Sequence, residues 1–333
     1  MSSFASRKAL YKKIEAARDS NVLAIVNGDR PGWETQFSRD FTDITVDHLD
    51  LMRPRDKISL VLHTNGGDTL AAWRLVHLLR QFCKHLEVLV PLKALSAGTL
   101  VCLGATTIVM TKQASLGPID PSITTPLNPP VQGAPPNVRA PVSVEAIQGF
   151  LDIATKTLGI KDDAAMASIF THLSGQVHPL VLGQVFRARA QIQFLAKRLL
   201  RHQVTDPDKV DGIIAFLASE SGSHDYTIDR TEARELGLRV ETPTELLYKL
   251  MREVHRSFQT ELKLNEPWDP HTLLGDQQTA SYEVSRCLVE SVRGGCNTFL
   301  SRGTLSRQSP QPPMMPFEQI GDRREFEGWR KVV

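Results

Sequence analysis

Residues 60–122 read LVLHTNGGDTLAAWRLVHLLRQFCKHLEVLVPLKALSAGTLVCLGATTIVMTKQASLGPIDPS. The stretch contains two junctions of small residues, Asn65-Gly66-Gly67-Asp68 and Leu95-Ser96-Ala97-Gly98-Thr99, each after an apolar run of strand length. Glycine lets a backbone turn tightly at a strand end. A helix that begins there adds the positive end of its dipole. Ser96 therefore stands where an oxyanion can be held, although serine also favours such a position simply as an N-cap.

Outward from this stretch, strand and helix signals alternate with short joins. Val22–Asn27 and Ile58–His63 are buried strands, and Leu70, Trp73, Val76 and Leu79 give the next helix its apolar stripe. Leu86–Val90 and Thr107–Met110 are further strands, separated by a short small-residue helix over Ser96–Gly104. This order predicts an α/β fold with parallel strands and crossover helices, with ligands at the carboxyl ends of the strands. Phe4–Asp19 and Thr45–Met52 read as additional helices.

Beyond Ser122 the pattern changes. Residues 120–142 form a loop with Pro129-Pro130 and Pro135-Pro136. Ser143 caps a helix predicted over Val144–Leu158, and a longer one spans Gly183–His202. Shorter helices follow Asp206 and Thr231, Leu238–Val240 is a short strand, and Glu245–Leu262 is another helix. Tyr282–Ser291 and Thr298–Leu305 have strand-like patches, and a Ser/Gln/Pro-rich tail follows. The expected organisation is a core over 1–264, with the Pro-rich loop 120–142, and a partly ordered C-terminal extension over 265–333.

Composition bounds the function. The 333 residues carry 39 basic and 37 acidic side chains, which gives no basic field for nucleic acid. Cys83, Cys102, Cys287 and Cys296 form no CxxC pair, so they read as reduced cytoplasmic thiols with no metal site. The N-terminus has no apolar signal core, and the uncharged run Ala94–Met110 is too short and too rich in small polar residues for a membrane span. No cofactor motif is legible, and no GxxxxGK[ST] run occurs, so an ATPase partner would be a separate chain.

Thr64-Asn65-Gly66-Gly67-Asp68, the Leu95–Thr99 turn and Leu116-Gly117-Pro118-Ile119-Asp120-Pro121 together resemble the serine dehydrogenase proteinase family. That family is similar to signal peptide peptidase A and belongs to the ClpP/crotonase superfamily. Glu232-Ala233-Arg234-Glu235-Leu236-Gly237-Leu238 resembles the segment that closes the ClpP core. The resemblance, over roughly 22–240, implies a ClpP/crotonase-like spiral of ββα units and a homo-oligomer. It also implies an ATP-independent serine endopeptidase that cleaves peptides or unfolded segments. Ser96 would be the nucleophile, the N–H groups of Gly67 and Ala97 the oxyanion hole, and Gly66 part of the substrate strand.

The base is less directly implied. The register of the ClpP histidine falls on Asp120, which would orient a base or fix the Pro118–Pro121 turn. Ser174-Gly175-Gln176-Val177-His178-Pro179 is similar to the lysine-bearing stretch of Ser–Lys relatives, with His178 at the lysine's place. His178 is the first candidate, and it is also placed to cap the following helix. His224, Lys112 and Lys156 stay open as alternatives. The same fold without catalysis would be an oligomeric scaffold or binding module; an acyl-thioester substrate is a weaker third reading.

Overall fold

The computed structural model describes residues 3–119, 122–135, 137–220, 226–308 and 319–332. The helix α1 (Phe4–Arg18) leads into β1 (Asn21–Asn27), followed by α2 (Thr42–Asp50), β2 (Lys57–His63) and α3 (Thr69–Phe82). Then come β3 (His85–Val90), β4 (Lys93–Ala94), α4 (Ala97–Leu103), β5 (Thr107–Met110) and β6 (Ser115–Leu116). Strands β1, β2, β3 and β5 pair side by side in parallel, as their almost uninterrupted apolar runs require of strands covered on both faces.

Behind each long strand lies a short second-layer segment. Phe37 bridges Gly67, Thr64 bridges Ala94, β4 pairs with β6, and Leu116 bridges Ile228. A long strand, a short one and a helix thus recur in succession, which is the spiral of ββα units implied by the sequence. Leu60, Leu62, Leu75, Val76, Leu100 and Val101 fill the core on the α3/α4 face. Val22, Ala24, Val61, Leu89, Val254 and Phe258 fill the other face, under α1 and the later helix over Glu245–Glu261.

The middle of the chain supplies β7 (Ser122–Ile123), β8 (Val142–Ser143), α5 (Val144–Asp152), α6 (Asp163–Gln176) and α7 (Pro179–Leu200). The single helix predicted over 144–158 is α5 followed by a π-turn at Ile153–Thr157. The long helix begins earlier than its apolar periodicity suggests, because Pro179 at the first helical position and His178 as cap start it. Next are α8 (Pro207–Ala215), α9 (Arg230–Glu235), β9 (Val240–Glu241), α10 (Glu245–Glu261) and α11 (Pro270–Leu274). Strand β9 joins the sheet beside β5.

In the C-terminal segment, β10 (Thr279–Ser291), β11 (Gly295–Gln308) and β12 (Gln319–Lys331) form a long antiparallel ribbon, more strand than the two patches read from the sequence. β10 pairs antiparallel with β1, so the sheet runs β12-β11-β10-β1-β2-β3-β5-β9 across the boundary placed at 264. Both β10 and β11 were partly legible; β12, in which seven of thirteen residues are Asp, Glu, Arg or Lys, was not. It is held by its backbone ladder to β11 and needs no apolar alternation of its own.

A buried polar cluster lies at the carboxyl ends of β1 and β2, on the α10 face. His63 Nε2 meets Asp29 Oδ1 at 3.1 Å, Lys93 pairs with the other oxygen of Asp29, and the rings of His63 and His255 are 5.3 Å apart. Burial alone would raise the Asp29 pKa, but hydrogen bonds and charge from His63 and Lys93 outweigh it and hold the carboxylate below its usual range. For His255, burial first and the neighbouring His63 second push the pKa down to about 4.

The linkage sign follows from that depression. The unfolded chain takes up a proton on His255 near its ordinary pKa, and the folded chain does not until near pH 4. Stability from keeping His255 neutral is complete above about pH 6.5 and is lost as pH falls towards 4, roughly 2–3 kcal/mol in all. Urea midpoints at pH 7 and pH 4.5 should therefore fall less for His255→Leu than for wild type. Equal falls would show that another group carries the acid sensitivity.

Candidate active site

Two strand-to-helix junctions meet in the second layer. Thr64 N–H donates to the Lys93 carbonyl (3.2 Å), and Leu95 N–H donates to the Thr64 carbonyl (3.0 Å), locking the two turns in register. Thr64 Oγ1 accepts from the N–H of Gly66 at 2.9 Å. Asp68 then caps α3 by accepting from Leu70 and Ala71, and Arg39 pairs with it at 2.8 Å.

Gly66 and Gly67 have φ of +109° and +142°, conformations in which a side chain is strained. They also leave no room for one. A Cβ on Gly66 would stand 2.7 Å from the Cβ of Ser96 and 2.9 Å from the Leu95 carbonyl oxygen. The two junctions are in direct contact at this point.

Ser96 itself is half-buried and has φ 51° and ψ −111°, outside the regions comfortable for a residue with a side chain. It precedes α4 as its N-cap residue without making a side-chain cap bond, so the cap explanation for its presence is not realised. Its hydroxyl has no hydrogen-bond partner among the described residues. Thr99, one turn on, is buried; its hydroxyl donates towards the Ala94 and Gly117 carbonyls and accepts from the N–H of Gly117. That bond ties the Gly117-Pro118 turn to the base of α4.

Each of the two junctions carries one backbone donor of interest, on Ala97 and on Gly67. Ala97 opens α4, so its N–H has no acceptor within the helix. Phe37 bonds to the residues on either side of Gly67, through Phe37 N–H to Gly66 O (2.7 Å) and Asp68 N–H to Phe37 O (2.8 Å). In a parallel ladder this leaves the N–H and C=O of Gly67 directed away from Phe37. Neither N–H has an acceptor among the described residues. The sequence did not foretell that Phe37 occupies one edge of the Gly66-Gly67 segment; no local signal marks a bridge 30 residues away.

Among the described residues, no hydrogen bond joins Ser96 to a proposed base. His178 is exposed at the start of α7, and its Nδ1 accepts from the Leu180 N–H at 3.2 Å, so it does cap that helix. Lys156 is exposed and paired with Asp152 at 2.8 Å. Lys112 lies over the Tyr248 ring, with its ammonium 5.2 Å from the centroid. Asp120 and His224 lie outside the described residues. No group of three or more His, Cys, Asp or Glu suited to a metal occurs among the described residues, and no helix is long and apolar enough to cross a membrane.

The sequence profile described as ClpP-like SDH-type serine proteinase matches residues 1–132, the part that holds both junctions. An uncharacterized protein of Methanocaldococcus jannaschii is 32% identical over 201 residues, covering 60% of this chain and 59% of the relative. The chain thus spans about three fifths of that relative's length. A second uncharacterized protein of the same organism is 27% identical over 250 residues, covering 71% of this chain and 72% of its own.

Among solved structures, a serine-to-alanine mutant of the 1510-N membrane-bound stomatin-specific protease is 17% identical, with a TM-score of 0.35, over 65% of this chain and 79% of that one. An asparagine-to-aspartate mutant of ClpP1 from Listeria monocytogenes is 13% identical, with a TM-score of 0.37, over 72% and 99%. Scores this low do not bear on the site. Over residues 1–132 the chain carries the pattern of the ClpP-like SDH-type serine proteinases.

Proposed function

We propose that the protein is a serine endopeptidase, ATP-independent in itself, with Ser96 as nucleophile. The observation that supports this most is the strained Ser96 in contact with Gly66, while the N–H groups of Gly67 and Ala97 have no acceptor among the described residues. In this reading Ser96 Oγ attacks a peptide carbonyl, a base takes its proton, and the two N–H groups receive the developing oxyanion. The leaving amine takes up that proton, and water then hydrolyses the acyl-serine. A peptide in extended form would lie beside Gly66-Gly67 on the side not taken by Phe37, pairing as an added strand.

His178 remains the proposed base. Its Nδ1 is engaged by the Leu180 N–H, so the proton would pass through its other ring nitrogen, or His178 would have to leave the cap. The homo-oligomer implied by the resemblance is part of the proposal, because a neighbouring copy is a second source for the base.

The test is intact mass after incubation with a fluorophosphonate, on wild type, Ser96→Ala and His178→Ala. Wild type is expected to gain one adduct, Ser96→Ala none, and His178→Ala to label at least about 100-fold more slowly. His178→Ala labelling at the wild-type rate would remove His178 from the site. No adduct on folded wild type would favour the scaffold reading.

A further inference from the structure

A cavity of about 600 Å³ lies between residues 261–273 and β10, and it shares no lining residue with the Ser96 site. Its strand wall is Ser281, Tyr282, Glu283, Val284 and Ser285, five successive residues. Side chains alternate between the faces of a strand, so a cavity that touches five in a row runs along the strand's edge. The ladder agrees. β1 pairs with β10 only over Cys287–Ser291, and Gly28 N–H closes on the Arg286 carbonyl at 2.8 Å. Over Thr279–Ser285 the strand has β11 on one side and, among the described residues, no strand on the other. A paired strand with one open edge is a template for another strand.

The same cavity contains an unmatched cation. Arg30 is only 9% exposed; its Nε donates to the Glu266 carbonyl at 2.8 Å, and its guanidinium lies 5.3 Å from the centroid of a Trp268 ring. The group is held in place, yet no carboxylate of the described residues is within ion-pair distance of it. Of the four acids lining the cavity, Glu283 makes no ion pair with Arg30 among the described residues, and the other three are engaged elsewhere. Glu261 pairs with Arg7, Glu266 with Lys263, and Asp269 caps α11 through His271 and Thr272. Burial pushes the Arg30 pKa down, and the more distant charge of Glu266 offsets this only in part.

We propose that this slot binds an extended peptide segment as an added strand on β10, with a carboxylate of that segment on Arg30. The main-chain ladder supplies affinity with little sequence demand, and the fixed guanidinium supplies direction and register. The carboxylate comes from a chain terminus or from an acidic side chain. The Trp268 and Tyr282 rings, 5.3 Å apart, form an apolar wall for the residue next to it. This site is independent of the peptidase reading and would hold a protein segment whether or not Ser96 is active.

The test is fluorescence anisotropy with the full chain carrying Ser96→Ala, so that no probe is consumed. The probe is a labelled heptapeptide of alternating valine and threonine in three forms: free C-terminal carboxylate, C-terminal amide, and amide with one glutamate. At least one carboxylate form is expected to bind saturably and about tenfold or more tighter than the neutral amide. Which form does so identifies the source of the carboxylate. Arg30→Gln should erase the preference, and N-methylation of alternate peptide amides should abolish binding to the protein that retains Arg30. The proposal is overturned if neither carboxylate form binds, if carboxylate and amide forms bind alike, or if Arg30→Gln leaves the preference intact. Should Arg30→Gln fail to fold, the amide and N-methyl comparisons decide by themselves.

Discussion

Arg7→Met is expected to destabilise the protein by roughly 3–5 kcal/mol, the range for breaking one partner out of a buried ion pair. Arg7 is fully buried in α1 and makes a two-pronged contact with Glu290 of β10, through Nε at 2.8 Å and Nη2 at 2.6 Å. Its remaining nitrogen reaches Glu261 at 2.5 Å and Ser257 at 3.0 Å on α10. Tyr11 donates to Glu290 at 2.6 Å. One guanidinium therefore joins the first helix, the last long helix and the C-terminal ribbon. Burial alone would lower its pKa, but the hydrogen bonds it donates to Glu290 and Glu261, with the charge of Glu290, outweigh burial and raise it. Without Arg7, Glu290 keeps a buried negative charge that the Tyr11 hydroxyl and the Cys296 thiol, both neutral, do not balance.

The double variant Arg7→Met/Glu290→Met should recover much of the loss, because it removes both charges and leaves apolar volume. Urea unfolding of the two single variants and the double variant measures the coupling. A double variant as unstable as the sum of the singles would mean that the pair acts through packing alone.

Gly66→Ala is expected to reduce fluorophosphonate labelling about 100-fold or more while the chain remains folded. The new Cβ has nowhere to go: Ser96 Cβ is 2.7 Å away, and φ at this residue is +109°. Relief requires movement of Ser96, and displacement of about 1 Å at a reacting group costs roughly that factor. The strain at Gly66 itself adds about 1–3 kcal/mol of instability. Gly67→Ala makes a different collision, with the Phe37 backbone N at 2.5 Å. It should open the second-layer bridge and cost more stability than Gly66→Ala. Paired urea curves and labelling rates for the two variants separate the effects. Normal labelling of Gly66→Ala would remove Ser96 from the proposed mechanism.

The parallel core was legible because its signals are local. The apolar runs at Val22–Asn27, Ile58–His63, Leu86–Val90 and Thr107–Met110 are long enough to span a buried strand, and glycine or small residues mark where two of them turn. The helices of the N-terminal half follow from 3.6-residue periodicity, as in α3 with Ala72, Leu75, Val76 and Leu79 buried. Elsewhere the local signal stops short. Trp33, Trp268 and Tyr282 meet edge to face at 4.9–5.4 Å, yet they are scattered over 250 residues and carry no spacing that announces a cluster.

Position along the chain and nearest neighbours in sequence therefore determined the alternation of strand and helix from β1 to β5, the two glycine-bearing junctions and the placement of Ser96 at a helix start. The tertiary structure alone decided that Gly66 abuts Ser96, that Phe37 holds one edge of Gly67, and that His178 caps α7. It also decided that β10–β12 extend the central sheet, and that Arg7 and Glu290, 283 residues apart, share one buried contact. The physical reason is range. Turn chemistry and side-chain periodicity act over a few residues, whereas ladder pairing and charge burial are set by which distant segments the folded chain brings together.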